Sequence, residues 1–397
     1  MGSVIGGTSR GGKRWIGALL IGASAWLGGC AQIAPWAGPA GMLDDAAFAP
    51  PTEPVDAAQA LAISPAMQRY LRDKIAVRAT SDDRRKALID ALYRQGALKL
   101  DYDASRTRNA AQAFEARAGN CLSLVMMTGA FAKELGLAVR YQEVRTDEVY
   151  ERWGDLVFAI GHVNLALADP RRRIGPGRES ENELVVDFQP PRSLATLPYR
   201  IVDEATLTAM YLNNRAAEAL GDGHVDNAYW WAREAVRSAP LYLPAYNTLA
   251  VVYRQHRQPA LAERVLTQLL TQQPDNPRVL SNLVLAVRAQ GRNAEADALA
   301  QRLARLEPDP PYVDFNRAMA ALDAGNLTGA RDLFAREVAR APYNHEFQFW
   351  LGATYARMGD ATRAATHLNA AIEASPSRGT REIYATKLAR LRAVQAH

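Results

Sequence analysis

The sequence predicts two folded parts in one chain: an α+β domain built from a helix and an antiparallel sheet, followed by an all-α solenoid of helical repeats. The α+β prediction rests on residues 101–205, where one helical run is followed by three strand-like runs. The solenoid prediction rests on prolines and alanines that recur every 34 residues in the C-terminal half. With 48% hydrophobic and 22% charged residues, the 397-residue chain has an ordinary globular composition with room for more than one core.

The N-terminus has the pattern of a bacterial export signal. A basic stretch ending in "KR" precedes the apolar run "WIGALLIGASAWL", whose 13 residues are fewer than the roughly 20 that a membrane-spanning helix needs. The sequence "LGGC", which ends at Cys30, resembles the bacterial lipobox. The resemblance implies cleavage of a signal peptide at residues 1–29 and lipid on Cys30. It also implies sorting to the outer membrane, facing the periplasm, because Ala31 rather than Asp follows the cysteine.

The stretch after the signal peptide is predicted to be a linker. Residues 30–55 are rich in Ala, Pro and Gly and lack hydrophobic periodicity, which favours a flexible tether between the lipid and the folded part. The formal charge of +5 includes three basic residues within the first thirty positions, which hold no acid, so little positive charge belongs to the folded part. A nucleic-acid partner is therefore not expected.

The middle domain, residues 56–205, opens with helical runs and then changes period. A helix is predicted from Cys121 to Leu135, followed by the strand-like runs "AVRYQEV", "LVFAIGHVNLALA" and "NELVVDF". The helix carries an apolar stripe, so we expect it to be buried along one face and to present its first turn at the surface. Cys121 would then meet the partial positive charge of a helix N-terminus, which favours the thiolate.

Cys121 has no disulfide partner if Cys30, the only other cysteine, carries lipid. A lone thiol in an oxidising compartment needs either burial or a chemical role. His162 is the one histidine of the middle domain and interrupts an apolar strand, and Asp187 follows the apolar run "ELVV". Each residue alone has an ordinary interpretation: a core cysteine, a satisfied core histidine and a turn-forming aspartate. Together, on a helix and two neighbouring strands, they match the constellation of a nucleophilic cysteine.

This part of the chain resembles the transglutaminase-like, papain-related superfamily. The Arg-x-Gly-x-Cys pattern of that superfamily at a helix start is present as Arg117, Gly119 and Cys121, and its Gly and Arg after the helix as Gly136 and Arg140. Its histidine and aspartate strands correspond to "GHVNLAL" and "VVDFQP". The resemblance implies a papain-like fold, a helix plus an antiparallel sheet, over most of the middle domain.

The resemblance also implies a role for each residue of the constellation. Cys121 is implied as the nucleophile, His162 as the general base and acid, and Asp187 as the group that holds the imidazole. The backbone amide of Cys121 would supply part of the oxyanion hole, and either Asn120 or Gln142 would complete it.

Two features limit what the resemblance implies. Many relatives have an aromatic residue soon after the histidine, whereas Val163 and Asn164 stand there in this chain, so substrate preference does not carry over. The sequence has no His/Cys/Asp/Glu cluster at metal-ligand spacing and no Gly-rich phosphate loop, so neither a metal nor another cofactor is expected.

The C-terminal half, residues 206–397, is built on the 34-residue period. The recurring prolines and alanines are Pro240, Pro274, Pro308, Pro342 and Pro376, and Ala228, Ala262, Ala296, Ala330 and Ala364. This pattern resembles the tetratricopeptide repeat. It implies five repeats and a capping helix, "REIYATKLARLRAVQ", around a concave groove that binds a protein or peptide. One large apolar position of the repeat is held by Leu249, Leu283 and Leu351 but broken by Arg215 and Arg317.

Two classes of function follow from these predictions. The first is an envelope-anchored cysteine enzyme that hydrolyses an amide bond through an acyl-thioenzyme, with the repeats recruiting a protein or peptide. The second is a non-catalytic, membrane-tethered scaffold whose repeats bind protein partners. A protein-crosslinking transglutaminase is a further alternative, although nothing in the sequence marks a second site for an amine.

Overall fold

The computed structural model describes residues 38, 40–77, 83–93, 98, 100–153, 156–170, 183–188 and 197–395. All of these belong to one compact unit, Trp36–His397. The predicted signal peptide and the predicted lipidation site, Cys30, lie outside the described residues. Within them, no helix is both long enough and apolar enough to span a bilayer.

Short elements precede the sheet of the middle domain. They are α1 (Pro65–Tyr70), α2 (Arg84–Tyr93), β1 (Asp101–Tyr102), α3 (Ala110–Ala116) and β2 (Ala118–Gly119). β1 and β2 pair in parallel, and the ladder is extended by a hydrogen bond of 3.0 Å from Asp103 N to Gly119 O. This pairing brings the loop that follows β1 beside the chain that enters the next helix.

That next helix, α4 (Cys121–Glu134), ends close to the predicted boundary, but the expectation of a single buried face is wrong. Every residue from Cys121 to Ala132 is buried. α4 packs against strands of the sheet on one side and against α2 and α3 on others. Its polar residues are satisfied locally: Tyr93 OH and Thr128 Oγ1 lie 2.6 Å apart. The apolar stripe therefore marks only part of a helix that is enclosed on all sides, so the first turn lies in the interior.

The sheet of the middle domain has four strands. They are β3 (Ala138–Trp153), β4 (Leu156–Ala168), β5 (Glu183–Val186) and β6 (Tyr199–Val202), in the order β5-β4-β3-β6, and each neighbouring pair is antiparallel. β4 has the predicted limits. β3 continues to Trp153 because its pairing with β4 resumes after an irregularity between Val144 and Val149. β6, at the edge beside β3, was not predicted.

The C-terminal half is an all-helical solenoid, described without a break from residue 204 to 395. Its helices are α5 (Glu204–Gly221), α6 (Val225–Ser238), α7 (Leu243–Gln255), α8 (Pro259–Gln272), α9 (Pro277–Arg288), α10 (Asn293–Leu306), α11 (Val313–Asp323), α12 (Leu327–Arg340), α13 (His345–Arg357), α14 (Ala361–Glu373) and α15 (Arg378–Gln395). α5 to α14 form five consecutive hairpins, and α15 packs on α14. The first hairpin begins two residues before the predicted boundary at 206.

The 34-residue period corresponds to a period of packing. All five recurring alanines are buried, as expected for small residues at the close approach of two helices. Four of the five hairpin turns place a glycine in the left-handed region, with φ between 76° and 82°. In the second hairpin Arg257 takes this conformation, with φ of 62°. A side chain is disfavoured there, which explains why glycine recurs at the other turns.

The N-terminal arm, residues 42–53, corrects the prediction of a flexible tether over residues 30–55. Part of that stretch is packed on the solenoid: the ring of Phe48 stacks on Tyr229 with centroids 3.9 Å apart, and Tyr253 OH donates to Met42 O at 2.7 Å. Two acids of the arm, Asp45 and Glu53, form ion pairs with arginines of α6 and α5. The prediction was wrong because it rested on the Ala- and Pro-rich composition of the stretch, whereas a few individual side chains anchor the arm to the solenoid.

The β3–β4 hairpin reaches the last repeats of the solenoid. The guanidinium of Arg152 lies over the rings of Tyr312 and Phe315, at 5.2 and 4.6 Å from their centroids, and Arg152 forms an ion pair with Glu346 at 3.0 Å. Asn344 Nδ2 also donates to Tyr150 O at 3.0 Å. The β3–β4 hairpin therefore covers part of the surface of the last two helical hairpins.

Candidate active site

Cys121 is the first residue of α4, and the residue before it caps the helix. Asn120 has an extended backbone (φ −74°, ψ 176°), and its Oδ1 accepts hydrogen bonds from Ser123 N and Ser123 Oγ, each at 2.9 Å. The cap satisfies one amide of the first turn and fixes the direction in which the helix starts. Cys121 is a free cysteine and is only 6% exposed.

The residues of the Arg-x-Gly-x-Cys pattern shape the turn from α3 into α4. Arg117 ends α3 in the left-handed region (φ 50°, ψ 33°), which costs a residue other than glycine about 1–2 kcal/mol. A Cβ on Gly119 would lie 2.6 Å from the Cβ of Ser123, so this position has room only for glycine. The two residues therefore bring the chain tightly into the start of the helix that carries Cys121.

The structure brings His162 and Asp187 together. His162 lies on β4, and Asp187 directly follows the neighbouring antiparallel strand, β5. The distance between His162 Nε2 and Asp187 Oδ2 is 2.8 Å. The same carboxylate oxygen accepts a hydrogen bond from Asn164 Nδ2 at 3.1 Å. The carboxylate is thus held by two side chains that share one face of β4.

The protonation of His162 is set by opposing effects. Burial lowers the pKa of the ring, which is 2% exposed, but hydrogen bonding and charge from Asp187 and Cys121 outweigh burial and raise the pKa from 6.5 to about 9. At neutral pH the imidazole is therefore mainly protonated.

The second ring nitrogen of His162 is available to the thiol. Nδ1 is buried and has no hydrogen-bond partner among the residues that the structure describes, whereas Nε2 is taken by Asp187. Cys121 lies close enough to raise the pKa of the ring through hydrogen bonding and charge, although its contact with Nδ1 falls short of a well-formed hydrogen bond. Loose contacts of this kind are common in active sites that hold no substrate, and they tighten when one binds.

The two predicted oxyanion side chains have different surroundings. The amide of Asn120 is used in building the helix start: its Oδ1 accepts in the cap and its Nδ2 donates to Thr107 Oγ1 at 2.9 Å. Gln142 lies on β3 directly opposite Asn164, and so on the face of the sheet that carries His162, and it is buried. Gln142 therefore shares a face of the sheet with His162, whereas the side chain of Asn120 is engaged in the helix cap.

Sequence reasoning missed the roles of two neighbours of the site. The alternation of side chains along β4 places Asn164 on the face of His162, but nothing in the sequence indicated its hydrogen bond to Asp187. Thr107 had no signal in the sequence, because it belongs to a loop and meets Asn120 only through the pairing of β1 with β2.

Comparison with known proteins bears on the solenoid. Residues 247–312, 281–345 and 315–378 match the family model of the tetratricopeptide repeat, so the C-terminal half is a tetratricopeptide-repeat solenoid. These segments do not include Cys121, His162 or Asp187. No curated protein matches the chain.

Several solved structures are also similar to part of this chain. YrrB, described as a repeat protein with an unusual peptide-binding site, is 20% identical, with a TM-score of 0.24 and coverage of 45% of this chain and 92% of its own. A repeat protein of Thermus thermophilus is 18% identical, with a TM-score of 0.29 and coverage of 45% and 98%. PilF of Pseudomonas aeruginosa is 21% identical, with a TM-score of 0.26 and coverage of 48% and 92%.

Proposed function

We propose that this protein is a cysteine-dependent acyl-transfer enzyme that hydrolyses an amide bond, with Cys121 as nucleophile, His162 as general base and acid, and Asp187 as the orienting carboxylate. The observation that carries the proposal is the environment of His162: Nε2 is held at 2.8 Å by Asp187, and Asp187 and Cys121 both raise the pKa of the ring. A buried imidazole with a carboxylate on one side and a thiol near the other suits both proton transfers of thiol catalysis.

Acylation begins with attack by the thiolate of Cys121 on the amide carbonyl carbon, which moves the carbonyl electron pair onto oxygen. The backbone N–H of Cys121, which has no partner within its own helix, stabilises this oxyanion, and Gln142 is the proposed second donor. His162 then donates the proton on Nδ1 to the departing nitrogen. The C–N bond breaks, the amine leaves, and the acyl group stays on sulfur as a thioester.

Deacylation reverses the proton transfers. Neutral Nδ1 of His162 takes a proton from water, whose oxygen attacks the thioester carbonyl. The C–S bond breaks, the carboxylic acid leaves, and thiolate and imidazolium are restored. Asp187 keeps the ring oriented through Nε2, and Asn164 holds the carboxylate in place.

Water, rather than a second amine, is the proposed acceptor. A crosslinking enzyme must bring a second polypeptide to the thioester, whereas Cys121 and His162 are both almost fully buried. A water molecule needs far less room than a polypeptide amine. Hydrolysis of the peptidase or amidase type therefore fits the site better than crosslinking.

The proposal includes a location and a role for the repeats. We infer a lipid anchor on Cys30 at the outer membrane, facing the periplasm; this rests on the "LGGC" motif and its neighbours alone. Tetratricopeptide repeats are protein-interaction modules, and we propose that the solenoid recruits the protein or peptide on which the cysteine acts.

A non-catalytic scaffold is the second candidate. The observation that favours it is the repeat match over residues 247–378, since such repeats bind partners without any chemistry of their own. In that case the middle domain would have only a structural or binding role, and the Cys121 thiol would be no more reactive than a free cysteine.

Turnover of p-nitrophenyl acetate separates the two candidates without a known substrate. We expect a burst of p-nitrophenolate from the folded wild type, with the acetyl group on Cys121 in intact-protein mass spectra. Cys121→Ala should abolish the burst, and His162→Ala should slow it by about 10²-fold or more. A burst of unchanged rate in His162→Ala contradicts the proposal, and a wild type without acetylation favours the scaffold.

A further inference from the structure

We propose that Glu218, on the first helix of the solenoid, is a positioning residue for Cys121, that it acts through Thr107 and Asn120, and that Glu53 of the N-terminal arm strengthens this link. The inference rests on the proposed cysteine chemistry. It adds a route by which the solenoid and the arm set the reactivity of the thiol. Hydrogen bonds and ion pairs among buried and partly buried groups make up the route, one step after another.

The first step joins the helix cap to the loop after β1. Asn120 Nδ2 donates to Thr107 Oγ1 at 2.9 Å, while Asn120 Oδ1 caps α4 by accepting from Ser123 N. Asn214 Nδ2, on α5, donates to the same hydroxyl oxygen at 3.4 Å. Thr107 is buried, so this contact is shielded from water. The hydroxyl of Thr107 therefore fixes which way the capping amide is turned.

The second step joins that loop to the solenoid. Thr107 N donates to Glu218 Oε1 at 2.6 Å, and the other carboxylate oxygen of Glu218 accepts from Arg215 Nη1 at 2.5 Å. Glu218 and Arg215 are both buried on α5. Burial raises the pKa of Glu218, and the contacts with Thr107 and Arg215 oppose that rise. The carboxylate thus holds the backbone of the loop from the solenoid side.

The third step joins the ion pair of Glu218 and Arg215 to the N-terminal arm. Arg215 Nη2 donates to Glu53 Oε1 and Oε2 at 3.0 and 3.2 Å, and Trp231 Nε1 also donates to Glu53 Oε1, at 2.8 Å. The guanidinium lies over the Trp231 ring, 5.1 Å from its centroid. Arg215 stands at the repeat position where leucine is expected, and its buried charge is matched by these two acids. The departure from the repeat pattern at Arg215 therefore allows this residue to link Glu218 to Glu53.

This chain of contacts sets the position of the Cys121 sulfur, because Cys121 directly follows Asn120 in the sequence. If the capping amide turns, the first residue of α4 moves with it and the approach of sulfur to His162 Nδ1 changes. A shift of about 1 Å in a reacting atom is enough to lower a rate by roughly 10²-fold. Residues that do not touch the reacting atoms can therefore control the reaction by holding this cap.

A matched pair of variants at Thr107 tests the first step. Thr107→Val removes the hydroxyl at nearly constant volume and keeps the backbone N–H to Glu218, whereas Thr107→Ser keeps the hydroxyl. We measure the second-order rate constant for alkylation of Cys121 by iodoacetamide from pH 5 to 9, together with the melting temperature. Thr107→Val should react about tenfold more slowly at neutral pH, and Thr107→Ser should stay within about twofold of the wild type.

Variants of the acids test the rest of the route. Glu218→Gln keeps an acceptor for Thr107 N but removes the charge that faces Arg215, and Glu53→Gln removes the other charge that faces Arg215, on the arm. Asp45→Asn is the control, because Asp45 lies on the same arm as Glu53 but pairs with Arg233 of α6 and has no contact with this route. Glu218→Gln and Glu53→Gln should slow alkylation and move its pH profile toward that of a free cysteine. Asp45→Asn should not.

The outcomes separate this inference from the proposed function. If the wild-type thiol already behaves as a free cysteine and does not depend on His162, the proposed function fails. If the wild type depends on His162 but folded Thr107→Val, Glu218→Gln and Glu53→Gln all keep its rate and pH profile, the positioning role is overturned. Should Glu218→Gln not fold, Thr107→Val and Glu53→Gln decide the matter, since both leave the Glu218 carboxylate in place.

Discussion

At the scale of single residues, the site depends on how His162 is held. Burial disfavours charge on the ring, whereas Asp187 and Cys121 favour it, and the pKa rises to about 9. Asn164 has a supporting part, because its hydrogen bond keeps the carboxylate beside the ring. The fold therefore stabilises the protonated imidazole, and the cost of burying that charge is met by the carboxylate.

Stability should depend on pH through this residue. Because the folded-state pKa of His162 lies above the ordinary 6.5, its stabilisation is complete below pH 6.5 and is lost as the pH rises through about 9. The loss amounts to about 3 kcal/mol at most. Urea unfolding between pH 6 and 10 should show a steeper fall in the unfolding free energy for the wild type than for Asp187→Asn. Parallel curves for the two proteins would argue against the raised pKa.

The sequence singles out Cys121, His162 and Asp187 as candidates, because each interrupts a pattern: a polar residue in an apolar run, or a thiol at a helix start. It was not sufficient to assign Asn120. An amide before a cysteine can cap a helix or face a substrate, and the choice depends on Thr107, which the sequence does not place nearby. Residues such as Thr107, whose role is to position another side chain, produce no hydrophobic periodicity from which they could be predicted.

At the scale of elements, α4 is the centre of the middle domain. Its burial on all sides requires close approach, and the tightest is at Gly129, where an added Cβ would lie 2.4 Å from Tyr141 OH and 2.9 Å from Tyr141 Cε1. The helix and β3 therefore fit together only if this position has no side chain. This contact fixes the depth of α4 against the sheet that carries His162.

Gly129→Ala should destabilise the protein by about 1–3 kcal/mol, since neither the helix nor the buried ring has room to move. Tyr141→Phe removes a hydroxyl that has no hydrogen-bond partner among the described residues, so the double variant should recover part of the loss. Gly161→Ala is the control, because a Cβ there meets nothing within 4 Å. Chemical denaturation of the four variants measures the effect; equal stability of Gly129→Ala and Gly161→Ala would refute the close contact.

Helix and strand types were predictable where the pattern was long. β4 is a run of 13 mostly apolar residues and was placed correctly, and the repeat helices follow their 34-residue period. β6 spans only Tyr199–Val202 and exposes Tyr199 and Ile201, so it has no buried alternation to detect. The full burial of α4 was also missed. The residue pattern of a helix with contacts on every side was interpreted as that of a helix with one broad apolar face.

At the scale of the whole molecule, the solenoid contacts the rest of its own chain at several places, among them the N-terminal arm and the β3–β4 hairpin. The N-terminal arm packs on the first repeats through Phe48 and Met42, and the β3–β4 hairpin reaches the last repeats through Arg152. Neither contact was predictable from composition, since a Pro-rich stretch and a charged strand both resemble solvent-exposed segments. The contacts are long-range, and each depends on a few side chains.

Phe48→Ala should detach the arm. The ring is buried and stacked on Tyr229, so its removal should cost about 3–5 kcal/mol and lower the melting temperature. Limited proteolysis should then cut the arm faster. Leu241→Ala is the control, because Leu241 is 80% exposed. If residues 42–53 were a flexible tether, the two variants would behave alike.

The decisive test of a catalytic pair of Cys121 and His162 is the rate at which iodoacetamide alkylates Cys121, measured from pH 5 to 10 in the wild type and in His162→Ala. A free cysteine with a pKa of about 8.5 is only about 0.3% thiolate at pH 6. Wild-type Cys121 should react at pH 6 at least about tenfold faster than free cysteine, and His162→Ala should lose this advantage. Two identical profiles, both rising only near pH 8.5, would contradict an ion pair between the two residues.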